Sequence, residues 1–366
     1  MRKFITNNFV TSKFNFIKYI NYPYKATICI SFDFETSAQS AKPVLRAKVK
    51  NYFFNITNNI GLTNKDLSGG YGRGYGNRIG AEKILQLFKK YDLKATWFCT
   101  GHVLMKGNEK GDAYRINQKL TYALPEAGFT NAVSWRRNRA SFYHEPFNNY
   151  KKYPYYYLGD IAEVIKQEGH DIQCHSFSHH YISMEFPENI ETDLEDWQKL
   201  AENNKFGKSI IFAFPFQGDY HLIERTTGLK TVPAFCKNGK DYEISFLSEH
   251  VLKIFKEAGF ELFTRCGSMH NLNLINGFIP YMNSDIYCMK DAGLFSYKDK
   301  SSFIRFLEII ISSNATIDFW LHPNDIIEKN KYELFKFFIE TLIKYRDKGK
   351  INLCTILEHW QKFKRE

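Results

Sequence analysis

No Cys-x-x-Cys pair occurs in this 366-residue chain, and its seven cysteines are an odd, scattered set. That gives no disulfide framework. Cys29, Cys99, Cys174 and Cys266 lie in apolar, strand-like runs and read as reduced core thiols. No apolar run approaches about 18 residues, so no membrane span is expected. The basic N-terminus is interrupted by Asn, Lys and Thr and has no continuous apolar stretch, so it does not read as a secretory signal. These absences lead to an expected cytoplasmic location. Internal repeats and long low-complexity linkers are also missing. The glycine-rich SGGYGRGYG at 68–76 lacks the Lys-Ser/Thr ending of a phosphate loop. It reads as a mobile loop near a site, and nucleotide binding is not expected.

What the chain does have is apolar and basic. Hydrophobic residues make up 44%, enough for a full core in one large decorated domain. Aromatics reach 17%, a surplus that leaves some free for ligand contact. The formal net charge of +11 fits an acidic partner, such as a polyanionic glycan, an anionic membrane surface or nucleic acid. It equally fits lysines standing singly on solvated helices.

From residue 25 onward, apolar runs alternate with amphipathic ones. Strands are expected at 25–33, 94–101, 170–175, 209–216, 261–266, 315–322 and 351–356. Helices are expected at 81–91, 158–169, about 190–204, 246–259, about 302–313 and about 332–348. Repeated β–α alternation implies a parallel sheet, and the unit count favours a barrel over an open sheet. Two stretches, about 37–79 and about 105–156, break the alternation. Both follow strands, so in a β/α barrel both sit at the C-terminal face, where active sites form. Residues 1–24 read as an N-terminal extension and 25–366 as the barrel.

Three motifs carry chemistry. In SFDFET, Asp33 and Glu35 stand two apart at a strand end and face the same way. They are either a solvent-facing pair or two carboxylates sharing one site. In HSFSHH, His175 and His179 stand four apart, a spacing suited to one metal if the chain turns helically after the strand. His180 reads as a neighbour of the site. In FWLHPND, His322 ends a strand at the same barrel rim, which makes it a candidate acid or base. The second insertion carries Trp135, Tyr143, Tyr153, Tyr155 and Tyr156 with Arg136, Arg137 and Arg139. These either stack on sugar rings and meet anionic groups, or pack the insertion onto the barrel. No nucleic-acid-binding module accompanies them, so a nucleic-acid partner is not expected.

SFDFE, KATWFCTG, GHDIQCHSFSH, FAFPF and FWLHP occur in the order found in the polysaccharide deacetylase (NodB-homology) family, carbohydrate esterase family 4, which this chain resembles over roughly residues 25–360. The resemblance implies a distorted (β/α) barrel of about seven parallel strands with insertions at the C-terminal face. It implies one divalent metal, zinc by expectation, held by Glu35, His175 and His179. Asp33 would be the base and His322 the acid, with the two carboxylates' roles open to exchange. The implied reaction is hydrolytic N-deacetylation of an acetylated amino sugar, in a glycan or a lipid-linked glycan intermediate. Alternatives are hydrolysis of non-peptide C–N bonds in a small molecule, and an inactive glycan-binding relative. One departure stands out: the family's arginine block is FAFPF (212–216) here, with no arginine. Arg265, at the end of the next strand, is the candidate replacement; with Trp135 and Tyr155 it is also a candidate substrate contact. A protonated His322 needs an acidic neighbour, with Asp325 and Asp285 as the candidates.

Overall fold

The computed structural model describes residues 25–36, 71–111, 148–224, 235–237, 240–269, 274–297 and 299–365. In chain order the strands are β1 (Thr27–Phe34), β2 (Thr96–Cys99), β3 (Asp171–Cys174), β4 (Ile211–Ala213), β5 (Tyr220–Glu224), β6 (Phe235–Lys237) and β7 (Lys240–Phe246). They continue with β8 (Leu262–Thr264), β9 (Ile279–Pro280), β10 (Tyr287–Cys288), β11 (Asp291–Gly293), β12 (Thr316–Leu321) and β13 (Asn352–Leu353). The helices are α1 (Tyr71–Lys90), α2 (Gly159–Gln167), α3 (Pro187–Asn203), α4 (Glu249–Glu257), α5 (Lys300–Ser312), α6 (Lys329–Asp347) and α7 (Ile356–Arg365).

Strands β12, β1, β2, β3, β4 and β8 lie side by side and parallel. β10 adds to β8, and β11 adds to the far side of β12, both parallel. Only Met289 and Lys290 separate β10 from β11. The Met289 N–H donates to the Phe263 carbonyl at 3.2 Å, and Lys290 accepts from the Asp318 N–H at 2.9 Å. The segment Tyr287–Gly293 therefore joins both edges and closes a ring of seven parallel strands. This is the expected distorted barrel, but its seventh strand is not the expected one. INLCTI yields only β13, which pairs with Thr27 and Ile28 outside the ring. β1 begins at Thr27 yet meets β2 only from Ser31, and β13 fills the vacant lower edge.

The barrel interior is apolar below and polar above. Cys29, Phe98, Ile211, Ala213, Leu262 and Met289 pack together inside, and Ile356 and Trp360 of α7 plug the bottom. The outer faces carry residues such as Phe32, packed on Phe88 of α1 and Phe335 of α6. Continuous apolar runs such as ICISF follow from this burial on both faces. Helix starts are chemically marked: Ser248 caps α4 and Asp299 caps α5 through their side chains.

Two other expectations change. The glycine-rich stretch from Tyr71 onward is the first half of α1, so the first insertion ends earlier than 79. After β4 the chain forms an antiparallel sheet, β5–β7–β6, in a stretch where no strand is expected from the sequence. The N-terminal extension, residues 1–24, lies outside the described residues.

Candidate metal centre

Alternation along β1 places Phe32 outward, so Ser31, Asp33 and Glu35 face inward. β12 runs beside it with Ser31 opposite Trp320, which turns Asp318, Trp320 and His322 to the same interior. Glu35 sits at the upper end of the barrel and is buried. Its Oε1 lies 3.1 Å from His179 Nε2, 3.7 Å from His175 Nε2 and 3.3 Å from His322 Nε2. One donor atom each from Glu35, His175 and His179 lies within 4.8 Å of the others, and all three residues are buried.

The tautomer of His175 is set by its surroundings. Its Nδ1–H donates to the Ala213 carbonyl at 2.8 Å, which leaves the Nε2 lone pair aimed at Glu35. His179 follows a tight turn and rests its ring edge-on against Phe216, centroids 4.6 Å apart. Two imidazoles and one carboxylate form an open three-ligand N₂O set, which suits a divalent cation of the zinc type. The residues present thus fit the group that the sequence implies. His180 turns away, its Nδ1 2.6 Å from the Ser178 hydroxyl.

Asp33 lies one layer deeper, against Arg265. The guanidinium meets Asp33 Oδ1 through Nε at 3.2 Å and through Nη2 at 3.1 Å. It also donates from Nη2 to the Ser31 hydroxyl and from Nη1 to Asp318, both at 2.6 Å. Phe98 and Trp320 cover the guanidinium, 5.3 and 4.9 Å from their ring centroids. Burial pushes the Asp33 carboxyl up, but Arg265, His175 and His322 outweigh it and hold it below its ordinary range. At Asp318 burial prevails, and the carboxyl is pushed up to about 6 despite Arg265. The arginine absent from FAFPF is therefore present in space, reaching Asp33 from the end of the neighbouring strand. Arg265 is 1% exposed and fully engaged, so it is not a substrate contact.

His322 stands at the rim, its side chain 24% exposed. Of the two acidic candidates, Asp325 is the neighbour: its Oδ2 lies 3.5 Å from His322 Nδ1 and accepts the His322 N–H at 2.9 Å. Asp285 is exposed and pairs instead with Lys256. A residue that sequence reasoning missed ties this corner together. Asn77 of α1 donates to the Glu35 carbonyl at 2.8 Å and accepts from the Asn324 N–H at 2.9 Å. Gly80, one turn on, lies so close to Pro323 that a Cβ there would sit 1.9 Å from its carbonyl oxygen.

Trp135 and the three arginines of the second insertion lie outside the described residues. Tyr155 is 2% exposed and packs between Tyr75 and Tyr153, so here the packing alternative holds and sugar stacking does not. Asp193, also missed, is fully buried on α3 beneath the His175–His179 turn.

Residues 71–222 match the sequence model of the polysaccharide deacetylase family. The matched span holds His175 and His179, while Asp33, Glu35, Arg265 and His322 lie outside it. No curated protein matches the chain. A solved structure from Mycobacterium smegmatis, provisionally assigned as a polysaccharide deacetylase, is 9% identical with a TM-score of 0.50; the alignment covers 93% of this chain and 91% of that one. The peptidoglycan deacetylase PdaC of Bacillus subtilis is 11% identical with a TM-score of 0.39, covering 94% of each chain. A carbohydrate esterase family 4 pseudoenzyme from Bacillus anthracis is 13% identical with a TM-score of 0.39, covering 92% of this chain and 66% of that one. Over residues 71–222 this chain is similar to the polysaccharide deacetylase family, and its fold is similar to that of the Mycobacterium smegmatis structure.

Proposed function

We propose that this protein is a metal-dependent hydrolase that removes the acetyl group from an N-acetylated amino sugar, in a glycan or a lipid-linked glycan intermediate. The observation that carries the reading is the convergence of Glu35, His175 and His179 beside an arginine-held Asp33 and a rim histidine. The family match over residues 71–222 supports carbohydrate deacetylation as the general class.

Each residue has a separate task. Glu35, His175 and His179 would hold the cation, and a divalent cation there supplies Lewis-acid polarisation of the acetyl carbonyl and acidifies a water. Asp33 stays ionised because Arg265 faces it, and accepts the proton of the attacking water. His322 gives a proton from Nε2 to the sugar nitrogen as the C–N bond breaks, while Asp325 beside Nδ1 steadies the charged ring. Water and the amide are consumed; acetate and the free amine are formed. The pairing of Arg265 with Asp33 supports a catalytic reading over that of an inactive glycan-binding relative.

The test measures metal content and acetate release together, on N-acetylated oligosaccharides. About one divalent ion per chain is expected, matching one three-ligand site. His175→Ala and His179→Ala should lose both the ion and the acetate. Retention of full metal content in both variants overturns the ligand set. A cytoplasmic location belongs to the same proposal and is tested by fractionating cells that express the tagged chain.

A further inference from the structure

The turn that carries the two histidines is conformationally costly. Ser176 and His179 both have left-handed backbones, with φ of 63° and 55°, and neither is glycine. Each such residue costs on the order of 1–3 kcal/mol and persists only where its surroundings impose it. His175 is fixed independently, through its N–H to Cys99 and its ring to Ala213. His179 lies five residues beyond the end of β3, and its backbone N–H donates to the Ser176 hydroxyl at 3.1 Å.

One carboxylate organises that turn from below. Asp193 of α3 accepts from the Ser176 hydroxyl at 2.8 Å, the Phe177 N–H at 2.8 Å and the Ser178 N–H at 3.1 Å. The Ser178 hydroxyl is also within reach, at 3.2 Å. Donors from three successive residues thus close on one buried acceptor. The Ser176 hydroxyl then relays the constraint to His179, since it donates to Asp193 and accepts from His179.

We propose that Asp193 is a positioning residue for the metal centre, holding the 176–178 turn so that His179 is aimed at Glu35 before any cation arrives. This rests on the metal-dependent reading above. The carboxylate touches neither substrate nor cation; it acts through Ser176 on His179. An unsatisfied buried carboxylate would be strongly unfavourable, so the donors and the acid require each other. α3 is thereby part of the metal site, although it contributes no ligand.

The test is zinc titration of the chelator-stripped protein, with thermal stability recorded alongside. Asp193→Ala should weaken zinc binding about 10–100-fold, the usual cost of removing a partner behind a ligating histidine. Ser176→Ala deletes only the relay hydroxyl and should weaken binding several-fold; it decides the matter if Asp193→Ala fails to fold. Asp171→Asn, at the opposite end of β3, is the control: it alters a half-buried acid without touching the turn and should leave zinc affinity unchanged. Parental zinc affinity in the Asp193 or Ser176 variants, with only a lowered Tm, overturns the proposal and leaves the metal reading standing. Failure of the unmutated protein to take up zinc overturns both.

Discussion

Asp33 and Glu35 are two residues apart and chemically alike, yet their neighbours separate them. Glu35 faces imidazoles and Asp33 faces a guanidinium. That difference, more than their order in the chain, supports ligand for one and base for the other. It also makes Arg265 testable. A lysine there keeps the charge but cannot reproduce a planar fork that spans Asp33, Ser31 and Asp318. Arg265→Lys should retain metal and lose roughly 10²-fold in kcat, the scale of a misplaced catalytic group. The pH profile gives the sign. A base works when ionised, so activity falls as pH drops through its pKa. Arg265 holds that pKa down against burial; with the fork lost, burial prevails and the pKa rises. The acid limb of kcat/KM should therefore move to higher pH in Arg265→Lys, and further in Arg265→Met. An acid limb that stays in place would show that Arg265 packs the barrel without tuning Asp33. The five side chains of the site were visible as residues, because the three motifs that carry them each follow an apolar strand run. Arg265 was visible only as a guess, because a contact between Asp33 and a residue 232 positions away leaves no local pattern.

At the scale of elements, α1 is the least expected part of the site. Its first half reads YGRGYGNRIG, a composition that disfavours helix by about 1 kcal/mol for each glycine relative to alanine. Local propensity therefore argued for a loop, and tertiary contact overrides it. Arg78 pairs with Asp160 of α2 at 2.7 Å, and Asn77 joins the Glu35 carbonyl to the Asn324 N–H. Gly80 is where α1 touches the Pro323 backbone. Gly80→Ala gains about 1 kcal/mol of helix propensity. It also places a carbon 1.9 Å from a carbonyl oxygen, a separation no real Cβ keeps. The overlap wins, and the loop after His322 must shift. We expect Gly80→Ala to keep its metal, since Glu35, His175 and His179 follow β1 and β3 and do not belong to the loop after His322. It should lower kcat about 10-fold or more through a displaced acid. Wild-type turnover in that variant would show that the rim tolerates the shift and that α1 does not position His322.

The ring of strands is uneven in strength, and this is a property of the whole molecule that the sequence concealed. Six of its strands announce themselves as apolar runs, and the parallel barrel follows from their alternation with helices. The seventh, Tyr287–Gly293, does not, since YCMKDAG carries Lys290 and Asp291 in place of an apolar run. It could not be recognised locally because its burial comes from bridging β8 and β12, not from its own composition. Its ladders are correspondingly short. β10 pairs with β8 over two residues and β11 with β12 over three, whereas β1 pairs with β12 over six. Asp291 ties the seam to the site, accepting from the Arg265 N–H at 3.1 Å and from Trp320 Nε1 at 3.0 Å. Local opening follows the number of hydrogen bonds and buried contacts that must be lost together. Hydrogen exchange should therefore be slowest in β1 and β12 and faster by at least an order of magnitude in β10 and the β9 hairpin. A barrel that opens at this seam frees Arg265 from Asp291 while leaving Glu35, His175 and His179 just beyond the intact strands β1 and β3. Bound metal should then slow exchange around His175 far more than at Tyr287. Equal protection of all seven strands would mean that the ring opens as one unit and that Tyr287–Gly293 is no weaker than its neighbours.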